Sequence, residues 1–245
     1  MINIDLVTVV NDPDLYEKCF VNNKNVNQHN LIMYDNTTDN IPVTKRFNDY
    51  INNKMKDDTW IVFCHQDFEI HESIEPKLGN LDKNCIYGPI GAQTINQFVF
   101  FLRMYGIKIK KCRIGFTKKM RLKGQIYVEE NGKHKLAGYK AKYLELVDTL
   151  DCCCFIIHSS LIKNINYKFD ENLDWHLYSE DLSSYAKINH DIKTKIINFK
   201  ATHYSPGNFD ENYYLSLEYL RKKYNNNSFD SAVFDGPYMK FKEKL

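Results

Sequence analysis

The first 65 residues alternate mostly apolar runs of strand length with segments of helical spacing, and this alternation constrains the fold more than any other sequence feature. The apolar runs are residues 4–10, 31–34 and 60–64. Apolar side chains recur at helical spacing in residues 13–20 and 43–56. A strand–helix–strand–helix–strand order produces a parallel sheet with right-handed crossovers. We therefore predict an α/β fold, with a mostly parallel sheet flanked by helices.

The chain is long enough to enclose a sizeable core. It has 245 residues, of which 43% are hydrophobic and 14% aromatic, so its composition excludes a disordered chain. We predict a single domain over residues 1–245. Within it, residues 103–142 are read as a basic insertion at the sheet edge, and residues 226–245 as a C-terminal tail.

The cysteines and the first residues of the sequence indicate the cellular compartment in which we expect the protein. The seven cysteines include no CxxC pair, and adjacent cysteines such as Cys152 to Cys154 point to opposite faces of a strand, so they cannot form a zinc site together. These thiols suit a reduced compartment. The sequence has no basic leader and no apolar stretch of about 20 residues. We expect a cytoplasmic protein, peripheral at a membrane at most.

Polar residues follow each of the first three predicted strands. Asn11, Asp35 and the tripeptide His65-Gln66-Asp67 stand at these positions. Because the carboxyl ends of parallel strands meet at one edge of the sheet, these residues should line the same edge, where ligands bind in open α/β sheets. No GxGxxG follows the first strand and no GxxxxGK[ST] occurs anywhere, which argues against a dehydrogenase and a P-loop protein.

The rest of the chain contains further strand and helix patterns. Residues 95–102 fit either a strand or a buried helix, and a hairpin is predicted around Asn131-Gly132. Residues 150–157 and 195–199 are predicted strands. A helix with Leu182, Tyr185, Ala186 and Ile188 facing inward is predicted after residue 181, and a last helix over residues 210–224 with Tyr214, Leu217 and Leu220 inward.

Three motifs occur in an order that resembles a known enzyme family. They are His65-Gln66-Asp67, then Asp170-Glu171 with the segment Trp175 to Leu182, and finally His203-Tyr204-Ser205-Pro206-Gly207. This order is similar to that of the GT-A fold nucleotide-sugar glycosyltransferases of the inverting family-two group. Within that group it resembles the streptomycin-biosynthesis-like branch, where His-Gln-Asp replaces DxD. The resemblance covers roughly residues 3 to 220, excepting the basic insertion.

The resemblance implies an enzyme that moves a hexose or deoxyhexose from a nucleotide-sugar donor to a hydroxyl acceptor on a glycan, a lipid-linked sugar or a protein. It also implies a divalent metal, Mn²⁺ or Mg²⁺, held by Asp67 and His203 together with the donor diphosphate. Such a cation acts as the Lewis acid that lets a charged diphosphate depart. Mg²⁺ prefers oxygen ligands, whereas Mn²⁺ also accepts imidazole.

Inversion by direct displacement needs a base on the acceptor side. The resemblance places it at Asp181, with Glu180 as the rival because Ser179 replaces the first acid of the family pattern. A carboxylate at a helix N-terminus suits this task, since the helix dipole keeps it ionised. Trp175 and His176, just upstream, are predicted to contact the acceptor sugar through its ring face or its hydroxyls.

Donor contacts are predicted at the strand ends. Asp35 resembles the residue that contacts the nucleoside, Val10 and Asn11 would line the base pocket, and His65 and Gln66 would face the donor. Gly88 would allow a close backbone approach. These residue types also have ordinary structural explanations. Asn11 and Asp35 suit turns, Glu180 and Asp181 suit a helix N-terminus, and His203 suits a strand end.

Positive charge is concentrated in residues 103–142, which hold 13 Lys and Arg against 2 acidic residues. A solvated face is the default interpretation of such a segment. Its functional alternatives are contact with donor phosphate, with an anionic acceptor, or with an anionic membrane through residues 103–123.

Two other functions fit parts of the sequence. A sugar-nucleotide nucleotidyltransferase also uses metal carboxylates, but residues 11–14 are acidic and lack the Gly-rich basic loop of those enzymes. A non-catalytic module that binds RNA or an anionic polymer would use the basic segment. However, the only aromatic residues at 103–123 are Tyr105 and Phe116, which are few stacking platforms, so no nucleic-acid partner is expected.

Overall fold

The central sheet of the computed structural model contains seven strands. The structure describes residues 2–105, 108–130, 132–205 and 210–224. In spatial order the strands are β10 (Leu146–Val147), β13 (Lys193–Ile196), β5 (Cys85–Gly88), β12 (Cys154–His158), β3 (Thr59–His65), β1 (Asn3–Val10) and β2 (Asn30–Asp35). Strands β1, β2, β3, β5 and β13 run in one direction, and β10 and β12 run against them. The predicted α/β class, with a largely parallel sheet, is confirmed.

Helices cover both faces of this sheet. One layer contains α2 (Val43–Asn53), α5 (Tyr178–His190) and α6 (Glu211–Lys223), and α4 (Ser159–Asn164) follows β12. The other face is covered by α1 (Pro13–Tyr16), which Asp12 caps and which continues as a π-helical turn over Glu17–Val21, and by α3 (Glu75–Leu78). None of the helices in the described ranges is long and apolar enough to cross a membrane.

Two hydrophobic cores lie on opposite faces of the sheet, and β3 contributes to both. Its Ile61 and Phe63 enter the core under α2 and α5, where Phe63 stacks on Phe155 at 5.0 Å between ring centroids. Its Trp60, Val62 and Cys64 enter the other core. A strand buried on both faces needs apolar residues at every position, which explains the unbroken run Trp60 to Cys64.

Two smaller sheets adjoin the central one. The first contains β4 (Phe68–Ile70), β14 (Ala201–His203), β8 (Ile126–Glu130) and β9 (Lys133–Ala137) in that order, and the second contains β11 (Thr149–Leu150), β6 (Ile90–Tyr105) and β7 (Lys108–Gly124). The predicted hairpin is confirmed as β8 and β9. Residues 95–102, which fitted either a strand or a helix, belong to a strand.

Several local predictions require correction. The strand predicted for residues 150–157 splits, because residues 151–153 turn and β12 begins at Cys154. In α5, Ile188 is 61% exposed and not inward. In α6, Tyr214 packs half-buried against the core as predicted, and Tyr213, which was not predicted, is buried with Leu217 and Leu220. Asn131, Pro206, Gly207 and the predicted tail at 226–245 lie outside the described residues.

Candidate functional site

A pocket of about 230 Å³ opens at the carboxyl ends of β1 and β3, the edge that the sequence indicated. Ligands bind at this edge in open α/β sheets. Trp175 reaches the pocket from the segment before α5, and Tyr178 from the first turn of α5. The lining residues are Val9, Asn11, Asn36, Val43, Cys64, His65, Gln66, Asp67, Trp175 and Tyr178.

Two imidazoles and a carboxylate meet beside this pocket. Strand β14 pairs with β4 so that His203 lies opposite Phe68, and the Tyr204 amide donates to the Asp67 carbonyl at 3.0 Å. His203 Nε2 is 3.3 Å from Asp67 Oδ1 and 3.4 Å from His65 Nδ1. One ligand atom from each of His65, Asp67 and His203 lies within 4.8 Å of the others, a spacing that fits a single metal ion.

The electrostatics of this cluster favour a neutral His65 and a charged pair beside it. Burial, followed by the charge on His203, lowers the pKa of His65 to about 4. Burial opposes both the ionisation of Asp67 and the protonation of His203. The hydrogen bond and the charge attraction between the Asp67 carboxylate and the His203 imidazolium outweigh this effect of burial. The pKa of Asp67 is therefore lowered and that of His203 raised. A neutral imidazole and an ionised carboxylate are the forms that bind metals.

Tyr178 sets the orientation of His65. Its hydroxyl lies 2.9 Å from His65 Nε2 and 3.4 Å from the Cys152 carbonyl. When the hydroxyl donates to this carbonyl, it accepts from His65 Nε2–H and leaves the Nδ1 lone pair facing Asp67 and His203. Metal-ligating histidines commonly have such a partner on the second nitrogen.

Gln66 holds the loop after β1 in place. Its Oε1 accepts from the Asn11 and Asp12 amides at 2.8 and 2.9 Å, and its Nε2 donates to Asn11 Oδ1. Both ends of the side-chain amide are thus engaged within the protein. Gln66 lines the pocket, and these bonds indicate that it orders the pocket wall, while its contact with the donor stays a prediction.

The acids at the head of α5 lie in the core and do not line the pocket. Asp181 is 1% exposed, and its carboxylate meets Lys223 Nζ at 2.8 Å and Tyr224 Oη at 2.7 Å. Lys223 also contacts Asp170 of the second motif at 2.7 Å. The geometry therefore does not support the predicted base at Asp181, because its charge is engaged by a lysine from α6 away from the cluster.

Glu180 faces a different part of the core. It is fully buried, and Ser179 Oγ lies 2.9 Å and Cys152 Sγ 3.3 Å from its Oε2. Burial, followed by the charge on Asp151, raises its pKa to about 7. When protonated, Glu180 donates to Ser179 Oγ, whose own proton goes to the Leu150 carbonyl at 2.8 Å. The sequence predicted an ionised group here, but burial outweighs the helix dipole.

The other predicted contacts fall at or next to the pocket. Trp175 and Asn11 line it. Val10 is buried in the opposite core and Val9 takes its place. Asp35 is exposed and accepts from the Thr37 amide at 2.9 Å, while its neighbour Asn36 lines the pocket.

Gly88 and His176 have structural contacts. A Cβ on Gly88 would lie 2.8 Å from Leu150 Cδ2, so the glycine permits close packing against β11 and is not part of the pocket lining. His176 Nε2 lies 3.4 Å from Asp210, the N-cap of α6. His176 therefore helps to connect the segment before α5 to α6.

Asp151 is a half-buried acid near the cluster that the sequence did not single out. Its amide donates to the Ile90 carbonyl at 3.2 Å, and its Oδ1 accepts from the Cys153 amide at 2.8 Å. Because the His65 amide donates to the Cys153 carbonyl, the turn at residue 151 lies beside the end of β3. Asp151 is close enough for its charge to raise the pKa of both His65 and His203.

Solved structures with a similar fold include a glycosyltransferase. TarS from S. aureus, as residues 1–349, superposes with a TM-score of 0.53 at 10% identity, over 94% of this chain and 67% of that one. This chain shares its fold with a glycosyltransferase. A longer TarS structure gives a TM-score of 0.51 at 11% identity, over 94% of this chain and 41% of that one. No protein-family model matches the sequence, and no curated protein is detectably similar.

The buried Glu180 predicts a pH-dependent stability. Its folded pKa of about 7 exceeds the usual 4.5, so protonation favours the native state and stability falls as pH rises between these values. Between pH 5 and 8 the wild-type protein should lose about 2 to 3 kcal/mol of unfolding free energy that Glu180→Gln does not lose. Urea titrations at both pH values measure this difference.

Glu17→Gln provides the control, because Glu17 is exposed. This variant should keep the wild-type pH dependence. Equal pH dependence in wild-type and Glu180→Gln proteins would show that Glu180 is ionised in the native state.

Proposed function

We propose that this chain is a metal-dependent inverting glycosyltransferase that moves a sugar from a nucleotide-sugar donor to a hydroxyl acceptor. The observation that carries the proposal is the cluster of His65, Asp67 and His203 beside a pocket at the carboxyl edge of the sheet. The fold shared with TarS supports it, because the cluster and the pocket lie in a fold that a glycosyltransferase also has.

The donor set of the cluster fits a divalent transition metal. Asp67 would offer a carboxylate oxygen and His203 an imidazole nitrogen, and His65 Nδ1 lies close enough to serve as a third ligand atom. Mg²⁺ rarely binds two imidazoles, whereas Mn²⁺ accepts mixed nitrogen and oxygen ligands. We therefore favour Mn²⁺ over Mg²⁺. The ion would supply Lewis-acid stabilisation of the departing diphosphate.

The pocket wall would hold the nucleoside. Trp175 presents an aromatic surface and the exposed Asn11 an amide group on the same wall, whereas the Asn36 amide is bonded to the Ile41 backbone. Aromatic rings stack on nucleobases, and amides read the polar edges of a base or a ribose. With the diphosphate at the cluster, the transferred sugar would lie toward the turn that carries Asp151.

Asp151 is our proposed acceptor-side base. It is half-buried and lies near His65 and His203, whereas Asp181 is paired with Lys223 and Glu180 is enclosed in the core. A carboxylate near the reacting carbon can take the proton from an acceptor hydroxyl as the new bond forms. The acceptor is thereby expected on the side of the cluster that faces the turn between β11 and β12.

A nucleotidyltransferase would need positive charge near the triphosphate. The loop after β1 instead carries Asp12 and Asp14, and Gln66 fixes its amides to the protein. The loop is therefore poorly suited to a triphosphate, and we favour sugar transfer.

The cluster predicts metal-dependent nucleotide binding. In a panel of nucleoside diphosphates with Mn²⁺, at least one at a hundredfold excess over its Kd should stabilise the protein by about 3 kcal/mol. For a chain of this size this corresponds to a rise in Tm of about 5 to 10 °C. Asp67→Asn and His203→Gln should remove the rise, because each removes a metal ligand.

Matched variants away from the cluster are Asp57→Asn and His134→Gln, since both side chains are exposed. They should keep the rise in Tm. If no nucleoside diphosphate stabilises the wild-type protein with Mn²⁺, or if Asp67→Asn responds like wild type, the proposed donor site is refuted.

The proposed base predicts loss of turnover with retained binding. Asp151→Asn should lower the rate of nucleotide-sugar turnover by about 10²- to 10⁴-fold and keep the Mn²⁺-dependent rise in Tm. The readout is release of the nucleoside diphosphate from a panel of nucleotide sugars. Asp148→Asn, three residues away, is the control and should turn over at nearly the wild-type rate. Wild-type turnover by Asp151→Asn would exclude Asp151 as the base.

A further inference from the structure

Strands β6 and β7 form a long two-stranded ribbon. They pair from Ile90 with Gly124 to Tyr105 with Lys108. The third strand of this sheet, β11, pairs only with Gly91 and Ala92. Within the described part of the chain, no third strand is recorded beside β6 and β7 beyond these residues except for a bridge at Lys123. At 3.3 Å per residue the two-stranded portion extends roughly 40 Å.

Such a ribbon needs a partner surface. A two-stranded ribbon alone is at best marginally stable in water, and it usually requires packing of an apolar face. The described elements supply a third strand only at the base of the ribbon. A surface beyond the described elements is therefore the source of additional stabilisation that we consider.

The charge of the ribbon indicates the chemistry of that partner. Residues 90–124 contain nine Lys and Arg and no Asp or Glu, while the remaining residues carry 24 Lys and Arg against 31 acids, a net charge of −7. The ribbon is thus strongly cationic on an anionic body. Its partner should be anionic.

The pairing register also separates apolar from basic positions. Since residues alternate between the two faces of a strand, paired positions two apart share a face. On one face the three consecutive apolar pairs are Phe98 with Phe116, Phe100 with Ile114, and Leu102 with Cys112, and the next pair on this face is Asn96 with Lys118. On the other face the pairs include Arg103 with Lys111, Phe101 with Arg113, Ile95 with Lys119, and Gln93 with Arg121.

We propose that the ribbon of β6 and β7 docks on an anionic lipid surface. An element with an apolar face and a cationic face suits the boundary between headgroups and acyl chains. There the apolar positions leave water and the cations meet anionic headgroups. This proposal does not rest on the proposed sugar transfer, but it would place the pocket near membrane-bound substrates.

Two other partners explain less of the pattern. A second copy packed through the apolar face would cover the apolar positions but would leave the cations of each ribbon without an anionic partner. A soluble polyanion would pair with the cations but would offer no apolar counterpart to the run from Phe98 to Leu102. An anionic lipid surface accommodates both kinds of position.

The test is sedimentation of the full chain with phosphatidylcholine vesicles, with and without phosphatidylglycerol. Binding should require phosphatidylglycerol and weaken at high salt. Changing Arg103, Lys111, Arg113 and Lys119 together to Gln should weaken binding about 100-fold or more. Changing Phe98, Phe100 and Phe116 together to Thr, which keeps strand propensity, should weaken it at least about 10-fold.

The control changes four exposed lysines of the α/β body, Lys24, Lys45, Lys56 and Lys168, to Gln. It removes the same charge and should bind vesicles within about threefold of wild type, since these lysines lie outside the ribbon. Unchanged Tm and unchanged nucleotide-dependent stabilisation in the ribbon variants would show that the body and its pocket are intact.

Several results would overturn the proposal. These are an absence of vesicle binding, equal binding to vesicles without phosphatidylglycerol, and an equal loss in the body control. Binding to heparin or RNA that exceeds vesicle binding and is unaffected by the Phe variant would identify a soluble polyanion instead. A dimer that the ribbon variants dissociate, without vesicle binding, would identify a second copy.

Discussion

The pairing of β14 with β4 brings the imidazole of residue 203 against the carboxylate of residue 67, and the candidate site depends on this contact. The two residues are far apart in sequence. They meet because the three-residue strand β14, which carries His203, pairs with β4. Because β4 follows β3 after a two-residue turn, the same pairing also places His203 beside His65. Three ligand atoms thus converge where two sheets meet.

Burying these polar and charged groups costs free energy, and the stability of the fold does not require it. His203 is 8% exposed, and removing charged or polar groups from water costs more than a surface ion pair returns. Buried ion pairs are therefore weak evidence for stability. In the proposed metal site, this burial would hold the ligand atoms in place before a cation binds. Tyr178 serves the same end, because it fixes the ring orientation of His65.

Hydrophobic patterns along the sequence predicted those elements whose burial is visible in neighbouring residues. Strands buried on both faces produce unbroken apolar runs, so β1 and β3 and the edge at which they end were readable from the sequence. The sequence did not predict which of two neighbouring residues at a strand end faces the pocket. Val9 and Asn36, not Val10 and Asp35, line the pocket, because neighbouring residues on a strand point to opposite faces and the exact strand ends cannot be read from hydrophobicity.

The role of the helix-head acids depended on contacts between distant residues. Asp181 is held by Lys223, from the end of α6, and nothing near Asp181 in the sequence indicates this. Asp151 comes near the cluster because β12 lies antiparallel to β3, a pairing that sequence alternation does not predict. Such contacts require the strand order and helix packing to be known.

The most direct measurement is anomalous scattering from crystals grown with Mn²⁺ and the nucleoside diphosphate that stabilises the protein. We predict one Mn²⁺ peak within about 2.5 Å of His65 Nδ1, an Asp67 oxygen and His203 Nε2, with the diphosphate on its open side. Diphosphate bound with no Mn²⁺ at this cluster, or Mn²⁺ bound elsewhere with the cluster empty, would contradict the central claim.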